Sequence, residues 1–371
     1  MAELTKAQLR LWVYDGDAAS PPLDPSYTLT KTKLTGEESI VFEISELIKD
    51  HVEIKFDGNY EDIKQTMWVK SEVTRTYSDT TFDTKTEHAL AFRGYGELTD
   101  GINPELSKKL LISNTVIHNY CGYDLTVPTF TGKGGLTKVK YESDTESLYI
   151  NSLGSANQYT IDRSSRINPP ADDIITIDKT ASLVASPDDS SSIEGVPIGT
   201  TKITFTDPDG TEGEISIECI EECMNTPHKI SFINKFGVMQ DIWFFAKRKD
   251  SISSEREQYK KNTLAIGATG ASYNISDHQR VYLENQGRES ITMNTGFIHE
   301  SYNEVMKQLL VSEYVYIHDN TRYSPTNAFY DLAIPISVVT NSLEFKTKRN
   351  DKLINYELQF EMDSEFIQSI R

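Results

Sequence analysis

His299-Glu300-Ser301-Tyr302-Asn303 opens like the helix of a zinc peptidase. That helix needs a second histidine one turn on, so that two imidazoles share a face around one metal. Asn303 stands in its place. His118 and His318 lack a metal-ligating neighbour in sequence and read as strand-end or loop histidines. Cys219 and Cys223 are separated by three residues rather than two, with no further Cys or His pair nearby to complete a zinc site. With Cys121 they read as reduced, semi-buried thiols. Asp207-Pro208-Asp209-Gly210 resembles the start of a calcium loop, but further oxygen donors do not follow at the required spacing; it reads as a hairpin turn. A glycosidase needs two carboxylates across a cleft, and among 56 acids the pair Glu221-Glu222 is not singled out. Gly132-Lys133-Gly134-Gly135 is a tight turn without the Lys-Ser/Thr ending of a phosphate loop. No Gly-x-Ser-x-Gly elbow occurs. The expectation is a non-enzymatic chain with no cofactor and no metal. Tyr77, Tyr95, Tyr123, Tyr141, Tyr149 and Tyr159 read as sheet-packing or interface residues rather than sugar-stacking ones.

The chain has 371 residues and a formal charge of −19. That balance disfavours non-specific binding to phosphate backbones or anionic lipid, and it suits a basic partner. Neither nucleic acid nor membrane is expected as a partner. Met1-Ala2-Glu3-Leu4 begins no apolar signal core, and no apolar run is long enough to span a bilayer, so assembly in a cytoplasm is expected. With 19 Tyr and 15 Phe, the composition favours strands over helix bundles.

The expected fold is mainly β, with several small immunoglobulin-like β-sandwich domains and a few short helices. Four units are read: 1–85, an N-terminal sandwich; 86–159, a β-rich unit with a short helix, either separate or joined to the first; 160–225, an acidic inserted β-module; and 226–371, a C-terminal β-domain with one amphipathic helix. In the first, strands are expected at 8–14, 26–34, 39–44 and 66–76, with Ile44, Leu47, Ile48 and Val52 at helical spacing. In the second, Ala89-Phe92, Val116-Ile117 and Leu125-Val127 read as strands, and Asn103-Pro104 starts a helix carrying Leu106 and Leu110. The third holds 14 acids against 4 bases and a hairpin pairing 201–206 with 213–218. In the last unit, 229–234, 241–246, 279–283 and 290–293 read as strands, and the charged run 247–261 as a solvent loop. Tyr302, Val305, Met306, Leu309 and Leu310 mark a helix face, and 343–346 is expected to form a hairpin with 354–361.

One echo organises this reading. Leu110-Leu111-Ile112-Ser113 reappears as Leu309-Leu310-Val311-Ser312, and each copy leads on to Asp-Leu-x-(Val/Ile)-Pro, at 124–128 and 331–335. This suggests duplicated architecture. The connecting loop is longer in the second copy. Its Tyr314, Tyr316, Arg322 and Tyr323 are expected to contact a partner chain.

Three stretches resemble virion proteins of marine tailed bacteriophages, chiefly contractile-tailed ones. They are Leu90-Ala91-Phe92-Arg93-Gly94-Tyr95-Gly96 running into Asp100-Gly101-Ile102-Asn103-Pro104; the join from Ile220-Glu221-Glu222-Cys223 to Phe232-Ile233-Asn234-Lys235-Phe236-Gly237; and Gln240-Asp241-Ile242-Trp243-Phe244-Phe245. The resemblance implies a structural part of the particle, in tail, baseplate or neck, present in many copies. Its partners would be other virion proteins and copies of itself, and it assigns no functional residue. The rival expectation is a receptor- or glycan-binding module at the tail tip.

Overall fold

The computed structural model describes residues 3–14, 20–52, 54, 56, 58, 66–100, 110–120, 125–128, 138–142, 147–152, 174–177, 201–206, 212–221, 224–268, 270–318, 333–346 and 353–363. Over them the chain is mainly β, with two α-helices. The first sheet contains β1 (Leu4–Tyr14), β2 (Tyr27–Thr32), β3 (Thr66–Tyr77) and β4 (Phe82–Phe92), in the order β2-β1-β3-β4. Leu9, Leu11 and Val13 alternate onto one face, as their spacing predicts, and pack with Val69. Phe42, Ile44, Leu47 and Ile48 cover that face, the last two from helix α1 (Ser45–Lys49). Residues 39–44 are not the expected strand: they lie over the sheet without joining its ladder. The opposite face is also closed, with Trp12, Tyr14 and Trp68 buried together.

The second sheet uses β5 (Val116–Tyr120), while β6 (Leu125–Pro128) turns aside. It continues with β7 (Lys138–Glu142) and β8 (Ser147–Ser152); β9 (Ile174–Ile177) pairs with β6 instead. The expected hairpin is β10 (Lys202–Thr206) with β11 (Glu212–Ile220), in register Ile203↔Ile215. The order is β5-β11-β10-β7-β8, so this sheet draws strands from both sides of residue 160. Cys219, on β11, is disulfide-bonded, against the expectation of reduced thiols; Cys121 and Cys223 lie outside the described residues.

The third sheet holds β12 (His228–Ile233), β13 (Met239–Phe244) and β14 (Lys249–Lys260). Beyond β14 come a short hairpin, β15 (Leu264–Gly267) with β16 (Gly270–Tyr273), and then β17 (Arg280–Asn294). β18 (Ile298–His299) precedes helix α2 (Tyr302–Val311); β19 (Val315–His318), β20 (Ala333–Val338), β21 (Leu353–Ile354) and β22 (Glu357–Met362) follow. The order is β13-β12-β19-β20-β22-β17-β14. Ile230, Phe232, Ile242, Phe244, Ile317 and Phe360 form one face, closed by Tyr302, Val305, Met306 and Leu309 of α2. At about 1.5–3 kcal/mol per fully buried apolar side chain, this is the main apolar stabilisation of the C-terminal part.

Two expectations fail here. The charged run 247–261 is not a loop, because residues 249–260 form β14, paired along its length with β17. Residues 343–346 form no strand; β22 pairs with β17 and β20 instead. The inward alternation of Ile354, Tyr356, Leu358 and Phe360 holds. The Asn103-Pro104 helix and the 132–135 turn lie outside the described residues.

Candidate interaction surface

Three sheets meet at a small polar hub. After β12 the chain turns at Asn234 and Gly237, and Asn234 makes its bonds in three directions. Its side-chain oxygen accepts from the backbone N–H of Phe236 at 3.0 Å. Its amide nitrogen donates to Leu111 O at 2.6 Å and to Gln240 Oε1 at 3.0 Å. Gln240 passes the chain on to Asn114 Oδ1 at 3.1 Å, and Asn114 donates to Val116 O at 2.7 Å. From α2, Gln308 donates to Ser113 Oγ at 2.7 Å and accepts from Lys235 N–H at 3.3 Å. Asn114, Asn234, Gln240 and Gln308 are all buried. Trp243 Nε1 donates to Asn119 Oδ1 at 2.9 Å beside them.

The first sheet reaches the same hub through bare backbone. Gly94 follows β4, and a Cβ there would stand 2.5 Å from Lys235 O; a Cβ on Gly237, whose φ is +79°, would stand 2.5 Å from Gly94 N. Tyr95 N–H donates to Lys235 O at 2.8 Å across the contact. Two of the stretches that carry the virion resemblance therefore touch each other here. Half-burial, with Glu304 and Glu97 nearby, pushes the Tyr95 phenol up to about 12. The segment carrying Val52, Ile54 and Phe56 covers the second face of the third sheet, against Ile233, Met239 and Tyr316.

His118 sits on β5 against α2 and β18. Its backbone N–H donates to Tyr302 Oη at 2.9 Å, and its Nε2 accepts from His299 N–H at 2.9 Å. Nε2 is therefore the unprotonated nitrogen, and Nδ1 lies 3.2 Å from Glu218 Oε2. Burial, helped by His299, lowers its pKa to about 4, so the ring is neutral at neutral pH. His318 ends β19, with Nε2 at 2.7 Å from Ser231 Oγ, whose hydroxyl donates to Asp241 Oδ1 at 2.5 Å. The order is carboxylate–hydroxyl–imidazole. A nucleophile needs its hydroxyl hydrogen aimed at the imidazole, and here it is donated to the carboxylate instead; Ser231 is also fully buried. Both histidines belong to the packing between elements.

Of the residues expected to meet a partner, Tyr316 is 8% exposed and packs edge-on to Phe56 at 5.3 Å. Tyr314 is half-buried with the Arg93 guanidinium 4.8 Å above its ring. Arg93 and Lys49 both bind Glu313, at 2.8 and 2.7 Å, and hold its carboxyl below the usual range. These rings thus join the N-terminal segment to the third sheet within one chain. Arg322 and Tyr323 lie outside the described residues.

The feature missed from sequence is an arm. β14 and β17 leave the third sheet together, paired from Lys249↔Thr292 to Lys260↔Arg280. At roughly 3.3 Å per residue the ribbon runs about 35 Å. All twelve residues of β14 are exposed, and so are those of β15 and β16 near the end. Large apolar side chains stand open along it: Ile252, Leu264, Ile266, Tyr273, Ile275 and Leu283. An uncovered two-stranded ribbon is marginal in water, and an open apolar patch marks a contact surface. Comparison with family models, curated proteins and solved structures returns no match.

Proposed function

We propose that this chain is a non-enzymatic structural subunit of a tailed-phage particle, placed in tail, baseplate or neck, that works through contacts with neighbouring subunits. The observation that carries the contact role is the β14–β17 arm: a long ribbon, anchored in a packed sheet, with apolar side chains that no described part of the chain covers. A catalytic chain concentrates polar groups in a cleft, whereas here the buried polar residues tie sheets together. The placement in a virion rests on the resemblance of 90–104 and 220–245. The reading also takes the sheets as halves of small immunoglobulin-like sandwiches, supported by the antiparallel order β2-β1-β3-β4 of the first sheet and its alternating apolar face.

The test is peptide mass identification and structure determination of purified particles from a phage encoding the chain. The expected result is the chain in stoichiometric copies, with large interfaces around the arm. Its absence from mature particles overturns the reading.

A further inference from the structure

We infer that the second face of the first sheet binds an oxyanion between Lys70, Arg10 and the Trp12 indole: a carboxylate or sulfate group, carried on a sugar chain or free. The inference does not depend on the assembly reading above.

Strand register defines the face. Lys6, Arg10 and Trp12 of β1 share it with Lys70 and Glu72 of β3 and His88 of β4. Trp12 and His88 flank Lys70, and Arg10 stands beside Glu72. The face is closed at one end, where Trp12, Tyr14 and Trp68 are buried, and open at the other, where Gln8, Thr30 and Thr84 are exposed. Over its alternate positions in 6–14, 28–32, 66–76 and 82–92 it carries three bases and one acid, in a chain of 37 bases and 56 acids. The net charge of −19 opposes anions at long range. Salt screens that field beyond roughly 8 Å, and the nearest groups then decide.

Unused cationic capacity is the first pointer to a ligand. Lys70 has no ion pair among the described residues, and its ammonium lies 4.5 Å from the centroid of the Trp12 ring. The Arg10 guanidinium lies 5.0 Å from the same centroid. It spends one bond on Glu72, at 3.1 Å, from a side chain that is 40% exposed. The second pointer is a pair of stranded donors. Trp12 and Trp68 are 3% and 2% exposed, and neither indole N–H has a hydrogen-bond partner among the described residues. Buried donors are almost always satisfied, so an orphan marks a bound group or water. Trp243, by contrast, has its indole N–H on Asn119. An oxyanion has lone pairs enough to accept from Trp12, Lys70 and Arg10 together. Lys70 covers the ring with a flexible four-carbon stem, so admitting the anion needs side-chain rotation and no backbone movement. Gln8, Thr30, Thr74 and Thr84 continue the face as short uncharged polar groups, to which the hydroxyls of a sugar chain can bond.

The experiment follows the three indole N–H signals of the isotope-labelled full chain by NMR. Sodium sulfate is titrated at constant ionic strength, then sulfated dextran oligosaccharide, then unsulfated dextran. The Trp12 signal is expected to shift saturably with sulfate, while that of Trp243, held by Asn119, stays in place. Lys70→Met keeps the stem over the ring and removes the charge, and is expected to weaken binding about tenfold or more. Glu72→Gln removes the competing acid and is expected to tighten binding, a gain that misfolding cannot produce. Tighter binding of sulfated dextran than of sulfate, per sulfate group, assigns the site to a sugar chain; equal or weaker binding assigns it to the free ion. A Trp12 signal that no anion moves, that unsulfated dextran alone moves, or that moves equally in Lys70→Met overturns the inference.

Discussion

The contact of Gly94 with Gly237 separates backbone strain from crowding in one set of substitutions. Gly36 has φ +94° and no atom within 4 Å of a built Cβ, so Gly36→Ala tests left-handed strain alone. That strain costs roughly 1 kcal/mol. Gly94 has no such φ, but its Cβ would meet three backbone atoms: Lys235 O at 2.5 Å, Phe236 C at 2.9 Å and Gly237 N at 3.2 Å. Backbone cannot swing aside as a side chain can, so the end of β4 must lift from the β12–β13 turn. Crowding of this kind costs about 1–3 kcal/mol, and losing the Tyr95 N–H to Lys235 O bond adds about 1 kcal/mol. Gly237→Ala suffers strain, crowding and the loss of the same bond, for about 3–5 kcal/mol. The expected order of destabilisation is Gly36, Gly94, Gly237. Urea unfolding reads it, with tryptophan fluorescence reporting on Trp12 and Trp68 in the first sheet and Trp243 at the hub. If Gly94→Ala costs no more than Gly36→Ala, the sheets are not clamped through this contact.

Asn234→Ala strands the Phe236 and Val238 N–H groups, Leu111 O and the Gln240 amide, and is expected to lower stability by about 2–4 kcal/mol in the same assay. His118 gives a pH dependence. Unfolded, its ring protonates near 6.5; folded, only near 4. Between those values the unfolded state holds the extra proton, so stability falls on acidification by about 3 kcal/mol in all and levels off below. Glu218, His299 and Tyr302 face the ring. His118→Gln should flatten the stability profile between pH 6.5 and 4; a profile unchanged by that substitution contradicts the assignment. For Cys219, reduction should lower the melting point, and the size of the fall names the partner. Cys121 closes a loop of roughly 100 residues, worth about 4.7 kcal/mol, and Cys223 a loop of about five, worth about 2 kcal/mol. Peptide mapping under non-reducing conditions checks the pairing directly, and a free Cys219 thiol refutes it.

Sequence alternation was enough wherever a strand buries one face. Leu9-Leu11-Val13, the Ile203/Ile215 hairpin and Ile354-Tyr356-Leu358-Phe360 could all be read in advance. β14 could not, because Ser251 to Lys260 bury neither face and leave no apolar period to detect. Its partner could: β17 shows Ile291 and Met293 where it enters the core. Leu343 misled because it packs on the core from a segment without a ladder. The Leu-Leu-x-Ser echo is likewise weaker in space than in sequence. Leu111 is buried with Phe236 and Val238, and Leu309 in the main core. The strands after the second copy pair with each other, Val315↔Ile336, while β5 and β6 after the first join different sheets. The hub was invisible for a different reason. Asn114, Asn234, Gln240 and Gln308 look like ordinary polar residues until the fold brings them together, and burial alone makes them specific.

That specificity bears on the arm. An apolar joint between sheets tolerates sliding, because burial is non-directional. A joint of buried amides does not, since any shift leaves donors and acceptors unpaired in a medium that cannot replace water. Here the amides of Asn234 and Gln240 fix the β12–β13 edge of the third sheet to Leu111 and Asn114, and Gly94 fixes the first sheet to the same turn. The arm leaves the opposite edge of that sheet, through β14 and β17. The direction of a ribbon about 35 Å long is set by how firmly its base is held. Loosening the hub should therefore let the third sheet, with its arm, shift against the other two while leaving every arm side chain in place. Asn234→Ala is expected to lower incorporation of the chain into particles at a temperature where the chain itself remains folded. If the variant folds and is incorporated like wild type, the hub stabilises the chain without aiming the arm.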